Sequence, residues 1–338
     1  AIAKTKPEKG FDLIETNEPK IGDDEVLVNV LYSSICGTDL HIYEWDEWAR
    51  KRIKIPRIVG HEMVGKVIKV GKNVKGLIEG DIVIGESHIP CLNCYYCKTG
   101  RMHVCENLKL LGIDVDGCFA EFCKTKFISL WKNNTNINFE YLSVLEPLGN
   151  AVHAVFEAEI GNRNVLIIGC GPIGLSTIYL CKRLGASLVI GVDISNYRLD
   201  LAKKFGADHV FNPKEVNIEE EIKKVSDGID VFFEMSGSQE SFNKGLSLLK
   251  YNSTAIFFGL PSREIYLDVT NQIILKETKI KGVFGRKMFE TWYELENILK
   301  KFNFPFDLLI THKFKLEEIN EAINVIKNGR CGKVVLKI

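Results

Sequence analysis

Val165-Leu-Ile-Ile-Gly169-Cys-Gly171-Pro-Ile-Gly174 decides the fold of this chain. Four apolar residues read as a short buried strand. G-x-G-x-x-G follows at once, and Pro172 opens a helical stretch that runs to Leu184 and stops at Gly185. Gly169 permits the tight turn, Gly171 lets a pyrophosphate approach the backbone, and Gly174 lets the helix pack close on the strand. The free N–H groups and positive dipole end of that helix suit phosphate oxygens. Asp193 lies nineteen residues beyond Gly174, at the end of the next apolar strand, Leu188–Val192. A carboxylate there accepts hydrogen bonds from a ribose and repels a 2′-phosphate, which favours NAD over NADP; Arg198 argues the other way, because an arginine there accommodates the phosphate.

Outward from this stretch, strands and helices alternate. Ser195 is placed to cap a helix that ends at Gly206. Val231-Phe-Phe233 and Thr254–Phe258 read as further buried strands. Continuous apolar strands separated by helices predict a parallel sheet covered on both faces, a doubly wound α/β domain. Residues before about 148 look different. Glu25–Tyr32, Val64–Val70 and Gly80–Gly85 are β-rich and separated by turn residues. Two amphipathic helices, Thr291–Lys301 and Leu316–Asn328, and a strand at Lys333–Lys337 close the chain. They are expected to return to the first domain. This gives one domain at 1–147 and 291–338 and a nucleotide-binding domain at 148–290.

Cys91, Cys94, Cys97 and Cys105 fall within fifteen residues at C-x2-C-x2-C-x7-C spacing. Four thiolates at that spacing can enclose one tetrahedral zinc with no open position, a structural site in a lobe spanning 88–106. The other six of the ten cysteines lie mostly in apolar segments, so a disulfide framework is not expected. Upstream, Cys36, His61 and Glu62 offer a thiolate, an imidazole and a carboxylate. Three protein ligands leave a fourth position for water or a substrate oxygen. Each of these residues alone has an ordinary structural explanation; together, beside a dinucleotide motif, they point to an open zinc site.

Composition excludes other classes. With 44 basic and 44 acidic residues the formal net charge is zero, which gives no nucleic-acid footprint. No apolar run approaches the roughly 18–20 residues that span a bilayer. The start of the sequence has no signal-peptide layout, so cytoplasm is the expected location.

Four motifs carry a resemblance to a known family. Cys36-Gly-Thr38-Asp, Gly60-His61-Glu62, the four-cysteine lobe and the glycine motif together resemble the zinc-containing medium-chain dehydrogenases over the whole chain. The resemblance implies a GroES-like β-rich catalytic domain beside the Rossmann domain, NAD as cofactor, two zinc ions per chain and a homotetramer. It implies that Cys36, His61 and Glu62 hold a catalytic zinc. Thr38 and His41 would relay the substrate proton to solvent. Glu146 would be either an intermittent fourth ligand or a relay partner. Ile173, Asp193 and Arg198 would contact NAD, as would loops at Leu260-Pro261-Ser262 and Phe284-Gly285. Longer strings, Cys36–Ala49, Glu146–His153 and Gly285–Trp292, imply a narrower branch. Its members oxidise L-threonine at the secondary hydroxyl to 2-amino-3-oxobutanoate; a polyol or 2,3-butanediol substrate is the alternative. A nucleotide-binding protein without catalysis should show an eroded zinc triad, and here the triad is present.

Two readings stay open on the residues. Glu44-Trp-Asp-Glu-Trp48 is either a set of carboxylates closing over an ammonium group or an acidic surface loop with its tryptophans packed below. His88 either lines the site or is structural, and Arg286 is a candidate for the substrate carboxylate by family position.

Overall fold

The computed structural model describes residues 1–261 and 263–338. The chain forms two compact units, Ala1–Pro147 with Ile310–Ile338, and Leu148–Leu309.

The first unit is built on a seven-stranded sheet. Its path runs Leu130–Lys132, Ile82–Gly85, Glu62–Val70, Glu25–Ser34, Lys333–Lys337 and Ile310–Lys315, and Phe122–Lys126 also pairs with Glu25–Ser34. The C-terminal strand therefore lies beside the long strand that leads into Cys36. The register sets Val335 opposite Ser34 and Ser34 opposite Glu62. The core includes Val26, Val28, Met63, Phe119, Val334 and Leu336. Cys36 lies two residues beyond the long strand and is the N-cap of a helix, Gly37–Glu44, to which the sequence reading assigned no element. That helix starts because the Asp39 carboxylate accepts from the Cys36 amide at 2.9 Å.

The second unit is a six-stranded sheet in which every neighbouring pair is parallel. Its order is His209–Phe211, Leu188–Val192, Asn164–Ile168, Ile229–Glu234, Leu249–Phe257 and Lys279–Gly282. The order reverses between Asn164–Ile168 and Ile229–Glu234, the switch point at which such sheets bind ligands.

The boundary near the C-terminus differs from the expectation. Residues 291–309 belong to the second unit, and the chain returns to the first at Ile310. The helix Glu290–Lys301 buries Thr291, Trp292, Leu295 and Ile298. Beyond it, Phe304 stacks edge-on to Tyr179 at 5.0 Å, and the Tyr179 hydroxyl donates to the Asn303 carbonyl at 2.8 Å. An amphipathic pattern reports that a helix has an apolar face; it does not report which core receives it.

Candidate active site and metal centres

Two cysteine-containing clusters form within the first unit. The donor atoms of Cys36, His61 and Glu62 all lie within 4.8 Å of one another. Strand pairing explains this: Cys36 lies two residues beyond Ser34, and Ser34 faces Glu62 across the sheet. His61 and Glu62 are buried. The Ser34 hydroxyl hydrogen-bonds one Glu62 oxygen. Lys333 Nζ meets both, at 2.7 and 2.6 Å. Lys333 is itself buried, and it was not singled out in the sequence. Burial pushes the Glu62 carboxyl up, opposed by Lys333. Burial would lower the lysine, but Glu62 and then Cys36 outweigh it and raise its pKa.

His61 Nδ1 stands 3.9 Å from the buried carboxylate of Asp39. Burial works against protonation of His61, but the Cys36 and Asp39 charges raise it to about 10. Among the described residues no hydrogen-bond partner meets His61 Nδ1 or Asp39 Oδ1. A thiolate, an imidazole and a carboxylate so close, with anionic and cationic groups balanced around them, are a donor set that fits zinc. Glu146 is buried and its charge acts on both His61 and Glu62, but it lies outside the 4.8 Å cluster.

Thr38 and His41 lie three residues apart on the helix Gly37–Glu44 and so share a face. The Cys36 thiol is 3.7 Å from the Thr38 hydroxyl. His41 is about half exposed and its Nδ1 pairs with Asp46 at 2.5 Å.

The acidic loop does not leave a free carboxylate for an ammonium group. Glu44 pairs with Lys9 and Lys327, and Glu47 with Lys51. Asp46 is taken up by His41 and the Ala49 amide. Trp45 is buried, as the surface-loop reading expected, whereas Trp48 is 40% exposed. His88 is buried, bonded through Nδ1 to Glu86 at 2.6 Å.

Cys91, Cys94, Cys97 and Cys105 likewise bring their sulfurs within 4.8 Å of one another. Backbone amides of Cys91 and Asn107 each donate to Cys105 Sγ at 3.3 Å. Hydrogen bonds, first from the Asn93 amide, lower Cys91 to about 6, while burial raises Cys97 to about 12. Four sulfurs this close ionise together only around a cation. Among the described residues no two cysteines form a disulfide.

In the second unit a cavity of about 1080 Å³ opens at the switch point. Gly169, Gly171, Asp193, Arg198, Met235 and Ser236 are among its lining residues. Gly169 has φ +101, and a Cβ on Gly174 would stand 1.9 Å from the Gly169 carbonyl oxygen. A Cβ on Gly171 would meet no protein atom within 4 Å, because it points into open space. These are the tight turn, the close packing and the open approach that the motif predicts, so a dinucleotide fits. Asp193 accepts from the Cys170 and Ser195 amides, both at 2.8 Å, which aims the carboxylate. Ile173, Leu260, Pro261, Phe284 and Gly285 are not among the lining residues, and Ser262 lies outside the described residues. The Gly285 carbonyl accepts from His153 at 2.9 Å. Arg286 is buried and donates to Asn150 at 2.6 Å, so it is part of the packing of its own unit.

Over 340 residues the chain is 43% identical to an L-threonine 3-dehydrogenase of Caldanaerobacter subterraneus, covering 99% of this chain and 98% of that one. Residues 22–133 match the alcohol dehydrogenase GroES-like domain, and residues 172–301 match zinc-binding dehydrogenase. The chain belongs to the zinc-containing medium-chain dehydrogenases. Two solved dehydrogenases superpose with a TM-score of 0.90, each over 100% of this chain and 99% of its own. One is an Escherichia coli alcohol dehydrogenase complexed with NADH, 26% identical; the other is 2R,3R-butanediol dehydrogenase from Bacillus subtilis, 25% identical. As a member of this family the chain is an oxidoreductase. No helix is long and apolar enough to cross a membrane among the described residues.

Proposed function

We propose that this dehydrogenase oxidises L-threonine at its secondary hydroxyl to 2-amino-3-oxobutanoate, with NAD as hydride acceptor. The convergence of Cys36, His61 and Glu62 within 4.8 Å carries the reaction type. The substrate rests on full-length similarity to L-threonine 3-dehydrogenases. Zinc held by these three residues supplies Lewis acidity, which lowers the pKa of a hydroxyl at the site. Zinc held by the four cysteines is structural, giving two per chain. Thr38 takes the hydroxyl proton and His41, half exposed, passes it to solvent. Glu146, buried near the ligand cluster, acts as an intermittent fourth ligand or as a relay partner. The helix that begins at Pro172 receives the pyrophosphate. Asp193 receives the ribose hydroxyls; its two oxygens hold one amide each and retain capacity to accept more, which supports NAD over NADP. Ile173, Arg198 and the Leu260-Pro261-Ser262 and Phe284-Gly285 loops complete the cofactor contacts.

We also place the enzyme in the cytoplasm as a homotetramer. The edge strand Lys279–Gly282 is exposed along its length and can continue the sheet into a second copy. Light scattering on the purified protein tests the assembly.

The substrate test is NADH formation by zinc-loaded protein with L-threonine, L-allo-threonine, D-threonine, sorbitol and 2,3-butanediol in parallel. Strong preference for L-threonine is the expected result. The butanediol dehydrogenase likeness makes a diol the second reading, and preference for a diol would replace the threonine assignment while leaving zinc and NAD in place.

A further inference from the structure

We infer that Asp46 is the positioning residue of the proton relay: it fixes the tautomer of His41 and holds the ring so that Nε2 is the base. This rests on the relay role proposed for His41.

The argument starts from what a carboxylate can do. Ionised, it only accepts hydrogen bonds. Asp46 Oδ2 lies 2.5 Å from His41 Nδ1, so in the neutral ring the proton sits on Nδ1. Nε2 is then left with its lone pair. A proton arriving along the relay binds Nε2, Nδ1–H stays on Asp46, and the same proton leaves Nε2 for water. The carboxylate beside the ring stabilises it while it carries that proton.

The carboxylate is itself held. Its second oxygen accepts from the Ala49 amide at 3.0 Å, as N-cap of the helix Glu47–Arg52. The chain is bent back to bring residue 46 beside residue 41. Trp45 takes the left-handed conformation at φ 55, and the Asp46 amide returns to the His41 carbonyl at 3.4 Å. Trp45 is anchored by burial, with Lys4 Nζ 5.1 Å over its ring, and its carbonyl accepts from Arg50 Nε at 2.8 Å. The Trp48 ring centroid stands 6.0 Å from that of the imidazole, tilted by 60°. The acidic, tryptophan-flanked string between Glu44 and Trp48 thus has a use that neither reading of the sequence gave it.

Asp46→Ser tests this, because serine also caps helices and keeps the Glu47–Arg52 helix while removing the carboxylate. Asp46→Asn, of the same shape, is the second variant if the first melts early. Histidine 15N spectra, with and without zinc, report the tautomer; kcat, KM and NAD affinity are measured on the zinc-loaded enzyme. The expected result is a His41 signal that moves from the Nδ1–H to the Nε2–H pattern. It should accompany a kcat loss of about tenfold or more, with NAD affinity and melting temperature unchanged. The double variant with His41→Asn should be no slower than His41→Asn alone. An unchanged tautomer, or a kcat within twofold of wild type while His41→Asn is impaired, overturns the role of Asp46 and leaves it a helix cap. Full turnover in His41→Asn overturns the relay reading itself.

Discussion

A buried lysine is costly unless its charge is matched, and Lys333 is matched by both oxygens of Glu62. Removing one partner of such a pair strands the other charge, a loss of about 3–5 kcal/mol when both are buried. Lys333→Met should therefore lower the thermal midpoint and release the metal from the Cys36 site, because a carboxyl that protonates is a poor ligand. Metal counting should show the four-cysteine zinc retained, and Lys333→Arg should behave much more like wild type. Retention of both metals in Lys333→Met would show that Glu62 needs no counter-charge. None of this was legible at residue 333 itself, which reads as the first residue of an apolar strand. The partnership exists only because Lys333–Lys337 pairs with Glu25–Ser34, which pairs in turn with Glu62–Val70. Asp39 was missed for a related reason: the sequence shows it only as part of the Cys36-Gly-Thr38-Asp motif, and its nearness to His61 comes from the fold.

Elements whose chemistry is contiguous were legible, and elements whose role depends on a distant partner were not. Strand, turn and helix of the glycine motif fit within a few residues of one another, so spacing alone carried their geometry. The helix Glu290–Lys301 has an equally clear apolar face, yet its unit was misplaced: the segment just after it, Asn303 and Phe304, docks on Tyr179, far back in the chain. The glycine motif allows its two functions to be separated. A methyl on Gly174 would collide with the Gly169 carbonyl at 1.9 Å, so Gly174→Ala should push the helix off the strand, at about 1–3 kcal/mol, and weaken NAD binding as a consequence. A methyl on Gly171 meets no protein atom, so Gly171→Ala should fold with an unchanged melting temperature and still lose NAD affinity by about tenfold or more, as the methyl takes up the pyrophosphate's space. Melting curves and NAD titrations of the two variants check both halves. Equal NAD affinity in Gly171→Ala and wild type would remove the pyrophosphate from that position.

At the scale of the whole molecule, one unit carries two candidate metal-ligand clusters of different chemistry. Cysteine spacing revealed the four-thiolate lobe directly. The other cluster was legible only as a set, since Cys36 and Glu62 are each unremarkable in sequence and become neighbours through strand pairing. The two should also differ in how they hold zinc. Four soft thiolates close the tetrahedron, whereas Cys36, His61 and Glu62 include a harder oxygen donor and leave a position through which a chelator can enter. Cys91, lowered to about 6 by hydrogen bonds, first from the Asn93 amide, gives the lobe a thiolate at neutral pH. Dialysis of the zinc-loaded protein against a chelator at neutral pH should therefore remove one zinc per chain first, and turnover should fall in step with that loss. NAD binding, which belongs to the other unit, should persist. The second zinc should leave only under acid or thiol-modifying conditions, and its departure, not the first, should lower the thermal midpoint. Metal content, activity and melting temperature followed along one dialysis series test the order. Simultaneous loss of both ions would mean that the mixed donor set binds zinc no more loosely than the closed lobe.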